Sequence, residues 1–372
     1  MNVSTPADNR RDPGPGDAGT HPYRVAMLAP PWIPVPPPGY GGIELVLSLL
    51  CEGLVRRGHD VTLFAPPGSR SAAEVREVLP DAHEDDIQLA IHEADHVARV
   101  FDALDRAAAE GNPYDVLHDH SGFTAVAMAN RISLPVVHTL HGPFTEDTIP
   151  FYVRHGGKAR LVAISEAQRD SAPGGVRVDD VVPNPIDVDE WPFRPEKDDY
   201  LLWVGRFTPV KGPHRAIEAA RAAGARLVLA GPVQAGDEAY YREQVEPHVD
   251  GDRVSHVGEV QGERKTSLFA GARALLMPIR WDEPFGLVMV EALACGTPVV
   301  SFAEGAACEI VQPGVNGFLV EDEEQMAAAL RDLPQISPQA CRDSVARRYA
   351  VDTVVAGYES VYARAVSDSV RV

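Results

Sequence analysis

Lysine is nearly missing from this chain: of 34 basic side chains, only Lys158, Lys197, Lys211 and Lys265 are lysines. The arginines are outnumbered by acids, 54 in all, and the formal net charge is −20, which disfavours general binding to nucleic acid or to an anionic membrane surface. A lysine that falls inside a motif is therefore more informative than usual. Cysteine is also scarce. Cys51, Cys295, Cys308 and Cys341 stand far apart with no Cys-x-x-Cys pair, which fits a reduced, cytoplasmic setting rather than a disulfide framework. No apolar run approaches the length of a membrane span. Residues 1–21 have no apolar core, so they are not a signal peptide; rich in Pro, Gly, Asp and Asn, they read as a disordered arm.

What is present is the composition of a globular protein, 45% hydrophobic and 24% charged, with enough length at 372 residues for two domains. Tyr23 to Ala29 reads as a buried strand, followed by a proline-rich loop and the glycine turn Gly39-Tyr40-Gly41-Gly42. Ile43, Val46, Leu47, Leu50 and Leu54 then fall at helical spacing before Gly58, and Val61 to Ala65 is the next strand. This βαβ unit lacks the Gly-x-Gly-x-x-Gly spacing of dinucleotide sites at its turn. Residues 70 to 112 are polar and mostly helical in pattern. Strands follow at Asp115–His120, Pro135–Gly142 and Ala159–Ser165, the first two tipped with His118, His120, His138 and His141. Polar residues at the carboxyl ends of parallel strands are where open α/β sheets hold ligands; the competing reading is a set of partly buried, hydrogen-bonded rings.

Pro183, Pro185, Pro192 and Pro195 interrupt all periodicity and mark a linker, in which Asp187-Val188-Asp189 reads as a turn. Beyond it the alternation restarts, with strands near 200–205, 226–230, 254–257, 274–278, 299–302 and 316–320. Val354, Val355, Tyr358, Val361 and Tyr362 form the stripe of a terminal helix. The expected division is a first α/β domain over 22–187, a second over 188–345 and a closing helix within 346–372.

Two constellations carry chemistry. Glu283-Pro284-Phe285-Gly286 opens a short helix that Gly296 stops, so the amides of Phe285, Gly286, Leu287 and Val288 lie at a helix start that favours anions. Glu283 and Glu291 beside an anion site are a liability unless the ligand also carries hydroxyls, and a sugar joined to a nucleotide through a diphosphate has both. Arg206 and Lys211 share one loop after a strand, a fork and a point charge suited to phosphate. His118-x-His120 leaves open a metal-dependent hydrolase, since two histidines at strand spacing can share one ion. A nucleotide-sugar binder without catalysis is the third reading.

Glu283-Pro-Phe-Gly through Glu291 resembles the Glu-x7-Glu signature of retaining glycosyltransferase family 4, and Gly205-Arg206 with Lys211-Gly212 resembles that family's donor loop. Gly39 to Glu44, Arg57-Gly58-His59, His118/His120, Asn184 to Asp187 and Glu309 to Val320 fall in the family's order, over about residues 22 to 366. Pro36-Pro37-Pro38 before the glycine turn is most similar to antibiotic-pathway members. The resemblance implies an α/β GT-B fold, two Rossmann-like domains facing a cleft with the terminal helix crossing back to the first. It implies transfer from a UDP- or GDP-linked sugar with retention, without metal or cofactor, to a soluble small-molecule or oligosaccharide acceptor. Arg206 and Lys211 would neutralise the diphosphate. Gly41, Gly42, Phe285, Gly286, Leu287 and Val288 would line the donor; Glu283 would accept from sugar hydroxyls and Glu291 from ribose. His120 would face the donor sugar, with Tyr40, His118 and His141 on the acceptor side. The acidic chain disfavours a phosphorylated or lipid acceptor. Ile279-Arg280-Trp281 departs from the family's usual serine before Asp282.

Overall fold

Short apolar runs alternating with amphipathic stretches build two parallel sheets, because strands buried on both faces need helices on each side. The computed structural model describes residues 22–369 apart from 40, 84–85 and 88; the arm expected over 1–21 lies outside the described residues, as does Tyr40. In the first sheet β1 (Arg24–Leu28), β2 (Asp60–Ala65), β3 (Glu74–Glu77), β4 (Val116–Asp119), β5 (Val136–Thr139), β6 (Arg160–Ala163) and β7 (Asp180–Val181) lie in the order β3-β2-β1-β4-β5-β6-β7. The second holds β8 (Leu201–Val204), β9 (Leu227–Ala230), β10 (Val254–His256), β11 (Leu275–Met277), β12 (Val299–Phe302) and β13 (Gly317–Val320), in the order β10-β9-β8-β11-β12-β13. In both sheets the chain order reverses about the first strand, which opens a crevice at the carboxyl edge beside β1 and β8.

One stretch differs from its sequence pattern. Residues 70–83 are not helical: Glu74–Glu77 pairs parallel with β2 as an edge strand, and the α-helix begins at Ala90. An edge strand with no deep burial on either face carries no apolar alternation to reveal it.

The terminal helix Val351–Ser369 crosses back to the first sheet. Val354, Val355, Tyr358, Val361 and Tyr362 join the core formed by β1, β2 and the helix Gly42–Arg56. Gly53 permits this approach, since a Cβ there would sit 2.6 Å from Val351 Cγ1 and 2.7 Å from Val355 Cγ2. Polar ties complete the docking. Glu359 accepts from Arg57 at 2.6 and 2.7 Å and meets His59 Nε2 at 2.9 Å. Burial pushes the Glu359 carboxyl up, but the bonds from Arg57 and His59 outweigh it and hold the group below its ordinary value. No helix among the described residues is long and apolar enough to cross a membrane.

Candidate functional site

The carboxyl edge of the second sheet gathers charged pairs. After β8 the chain runs through Arg206 to Lys211, and after β11 through Trp281 to Glu283, so adjacent strands deliver the two loops side by side. Lys211 Nζ donates to Glu283 Oε2 and lies 4.6 Å from the centre of the Trp281 ring, while Trp281 Nε1 donates to the same oxygen at 3.0 Å. Trp281, where the sequence departs from the pattern it resembles, thus helps to aim Glu283. The backbone of Glu283 is fixed by Gly305. That residue has φ +51°, and a Cβ there would fall 2.5 Å from the Glu283 nitrogen and 2.6 Å from its carbonyl oxygen. Any larger residue must displace the glutamate. Arg206 meets only Gln234 Oε1, at 3.4 Å, and its buried Nε has no partner; among the described residues no carboxylate pairs with it.

Gly286, in left-handed conformation, precedes the helix Leu287–Ala294, whose first turn has no side-chain cap and no carbonyl four residues back to receive its amides. Phe285 is buried against Tyr349, its ring 5.4 Å from that of the tyrosine, so this residue offers only backbone. Two turns on, Glu291 is 3% exposed; its Oε1 accepts from Lys265 Nζ at 2.6 Å, and its Oε2 is buried with no partner.

The carboxyl edge of the first sheet is built from histidines held neutral. His118 is wholly buried: Nδ1 meets Tyr362 Oη at 2.7 Å and Nε2 meets Thr139 Oγ1 at 2.8 Å. This corrects its expected place on the acceptor side, for a ring enclosed and bonded at both nitrogens ties the terminal helix to the sheet and has no lone pair left for an ion. His120 does reach the edge. Its Nδ1 lies 2.8 Å from His141 Nε2, and its Nε2 is buried without a partner. Burial, then the neighbouring histidines, pushes His118 and His120 well below the usual imidazole range. His141, partly open at its surface, is lowered to about 3 by burial of its ring and by His138. Behind them His138 Nδ1 meets Asp119 Oδ2 at 2.5 Å.

The two edges face each other. A Cβ on Gly42 would stand 3.3 Å from Leu287 Cδ1, which sets the start of the helix Gly42–Arg56 against the start of Leu287–Ala294. Gly41 packs beside Pro37 and the buried Glu44, whose carboxyl burial pushes up. Glu309 reaches across from the second domain to accept from the amides of Ala167 at 2.6 Å and Glu166 at 3.1 Å. A cavity of about 100 Å³ runs between the domains along Leu45, Leu49, Trp191, Leu287 and Glu291. A larger one, about 440 Å³, lies behind the connection near Asp187, Arg342 and Asp352 and touches none of these residues. Among the described residues the one triad with ligand atoms close enough for a metal is His83, Asp86 and His92, and it excludes the His118/His120 pair. Its two rings stack at 3.6 Å, only 17° from parallel, so their in-plane lone pairs do not converge on one ion.

Arg206, Lys211, Glu283, Glu291 and the amides after Phe285 are therefore brought to one edge, with Gly42 against its helix start; His120 stands at the end of β4 in the first sheet. Sequence reasoning missed Lys265 and Gly305, and marked Trp281 only as a departure from the family's pattern. The scarcity of lysine was the one signal available for Lys265.

Residues 188–343 match the family model described as glycosyl transferases group 1, and residues 40–190 that of glycosyltransferase family 4. The chain is similar to the D-inositol 3-phosphate glycosyltransferase of Mycolicibacterium paratuberculosis, 30% identical with 84% of this chain and 82% of that one covered. The enzyme of the same name from Acidothermus cellulolyticus is 28% identical, with 93% and 91% covered. Among solved structures, AviGT4, a glycosyltransferase involved in avilamycin A biosynthesis, is 29% identical with a TM-score of 0.71, covering 93% of this chain and 99% of that one.

Proposed function

Since the chain belongs to the family 4 glycosyltransferases of GT-B fold, we propose that it transfers a sugar, with retention, from a nucleoside-diphosphate donor to a small soluble acceptor. The observation that carries this is the second sheet's edge. Arg206 has no carboxylate partner there, Lys211 follows in the same loop and meets Glu283, and capless helix amides add an anion site next to two glutamates. As the bond from the anomeric carbon to the phosphate oxygen breaks, Arg206 and Lys211 stabilise the growing charge on the diphosphate, so no metal is needed for that task. Lys211 leaves Glu283 for the phosphate, and Glu283 accepts from sugar hydroxyls. His120 presents its unpartnered Nε2 to the donor sugar. The acceptor oxygen bonds to the anomeric carbon, and its proton passes to the departing phosphate.

The acceptor is a small polyhydroxylated molecule. The related enzymes are named for inositol 3-phosphate, whereas the charge of this chain favours an acceptor without phosphate. Thermal shifts across UDP- and GDP-sugars will identify the donor, because a ligand bound to the folded state raises its stability. Product analysis with inositol and inositol 3-phosphate as first acceptors, with and without EDTA, then reads the linkage. An α-linked product from an α-linked donor, undiminished by EDTA, is expected. An inverted product or a strict metal requirement rejects the mechanism.

A further inference from the structure

Glu291 combines two features that one residue explains. It is 3% exposed, yet only one of its carboxylate oxygens is used: Oε1 receives Lys265 Nζ at 2.6 Å, while buried Oε2 has no donor. A buried carboxylate oxygen without a hydrogen bond is costly unless a ligand supplies one. Lys265 comes from the helix Gly262–Gly271 and is held in place by aromatic faces, its ammonium 5.3 Å from the Trp191 ring centre and 5.9 Å from that of Phe269. An arginine there would present a fork that engages both carboxylate oxygens; lysine offers a single point charge and leaves the second oxygen open. In a chain with so few lysines, that distinction is built into the residue type.

We propose that Lys265 is a positioning residue for the donor: it holds Glu291 turned so that Oε2 accepts from a ribose hydroxyl of the nucleoside diphosphate. This rests on the reading of Glu291 as the ribose end of the site. Lys265 also offsets the carboxylate's charge where it would otherwise repel the diphosphate.

Calorimetric titration tests this, using UDP, GDP and their 2′-deoxy and 3′-deoxy forms against wild type, Glu291→Ala, Lys265→Met and Lys265→Arg. Wild type is expected to bind the ribose form of its diphosphate at least about tenfold more tightly than one of the deoxy forms, the scale of a hydrogen bond to a charged group. Glu291→Ala abolishes that preference. Lys265→Met reduces it towards unity, and so does Lys265→Arg, which keeps the charge and the fold; a merely structural lysine would tolerate arginine with the preference intact. Loss of the preference in Glu291→Ala but not in either Lys265 variant overturns the role of Lys265. Absence of any preference in wild type, or of binding by both diphosphates, overturns the ribose placement beneath it.

Discussion

The two sheet edges that face each other solve opposite electrostatic problems. In the first, burial pushes His118 and His120 well below the imidazole range; His118 meets the hydroxyls of Tyr362 and Thr139, His120 Nδ1 meets His141, and His120 Nε2 is buried without a partner. The second pairs most of its charges, Lys211 with Glu283 and Lys265 with Glu291, and leaves Arg206 without a carboxylate. A neutral ring can meet a sugar hydroxyl without attracting counter-ions. The nucleoside-diphosphate leaving group proposed above needs cations; Lys211 and Lys265 are held by carboxylates, whereas Arg206 has none.

The largest test of that contrast removes a charge from the second edge. Lys211→Ala and Glu283→Ala are each expected to lower turnover by about 10²-fold or more, the scale of losing one electrostatic stabiliser, with the thermal midpoint largely kept. Near-normal turnover in both variants would dissolve the site assignment. A smaller loss, on the order of tenfold, is expected from Gly305→Ala, which moves Glu283 without altering any charge, since displacement of a positioned group by less than an ångström is costly. If this variant matches wild type in turnover, the backbone contact is not what places Glu283.

The first edge is broken by acid instead. The folded-state values of His118 and His120 lie below the unfolded imidazole value, so the unfolded chain takes up protons first as pH falls. Their contribution to stability is complete above about pH 6.5 and is lost below it, by at most about 1.4 kcal/mol per pH unit for each ring. Urea midpoints from pH 7.5 to 5.5 should fall, and His118→Gln should flatten the slope. Glu359 acts in a lower window: its depressed carboxyl stabilises the helix docking above the ordinary glutamate value and ceases to do so as pH drops through its folded value. A midpoint that rises on acidification would contradict the neutral-histidine edge. The mildest change is Tyr362→Phe, which strips one bond from His118; a stability loss of about 1 kcal/mol with turnover retained is expected. Lost turnover at full stability would place His118 in the chemistry after all.

Much of this was legible in the residues themselves. Gly286 and Gly296 bracket a helix whose start and stop can be read from local backbone preference, and strands such as Val299–Phe302 are plain apolar runs between breakers. The glutamate pair, Arg206 and Lys211 stand in recognisable order along the chain. What could not be read were pairings set by tertiary packing. Lys265 and Glu291 are 26 residues apart, Trp281 aims a neighbour through its ring nitrogen, and His118 meets Tyr362 across 244 positions. Two histidines separated by one strand residue look equivalent in sequence; only the terminal helix, packed over one of them, ties His118 to Tyr362, while His120 meets His141 instead. The edge strand Glu74–Glu77 was hidden for a related reason, since its order comes from pairing with β2 rather than from burial.

Nucleoside-diphosphate binding, measured by calorimetry in wild type, in the double variant Arg206→Ala/Lys211→Ala, and in His120→Ala, tests the division of labour most directly. The double variant should lose binding by at least about 10²-fold, as expected when two charge-assisted contacts to phosphate are removed, while His120→Ala binds the diphosphate like wild type and fails only in sugar transfer. Undiminished binding by the double variant, or an equal loss in His120→Ala, would show that charge at this cleft is not divided between the two edges in this way.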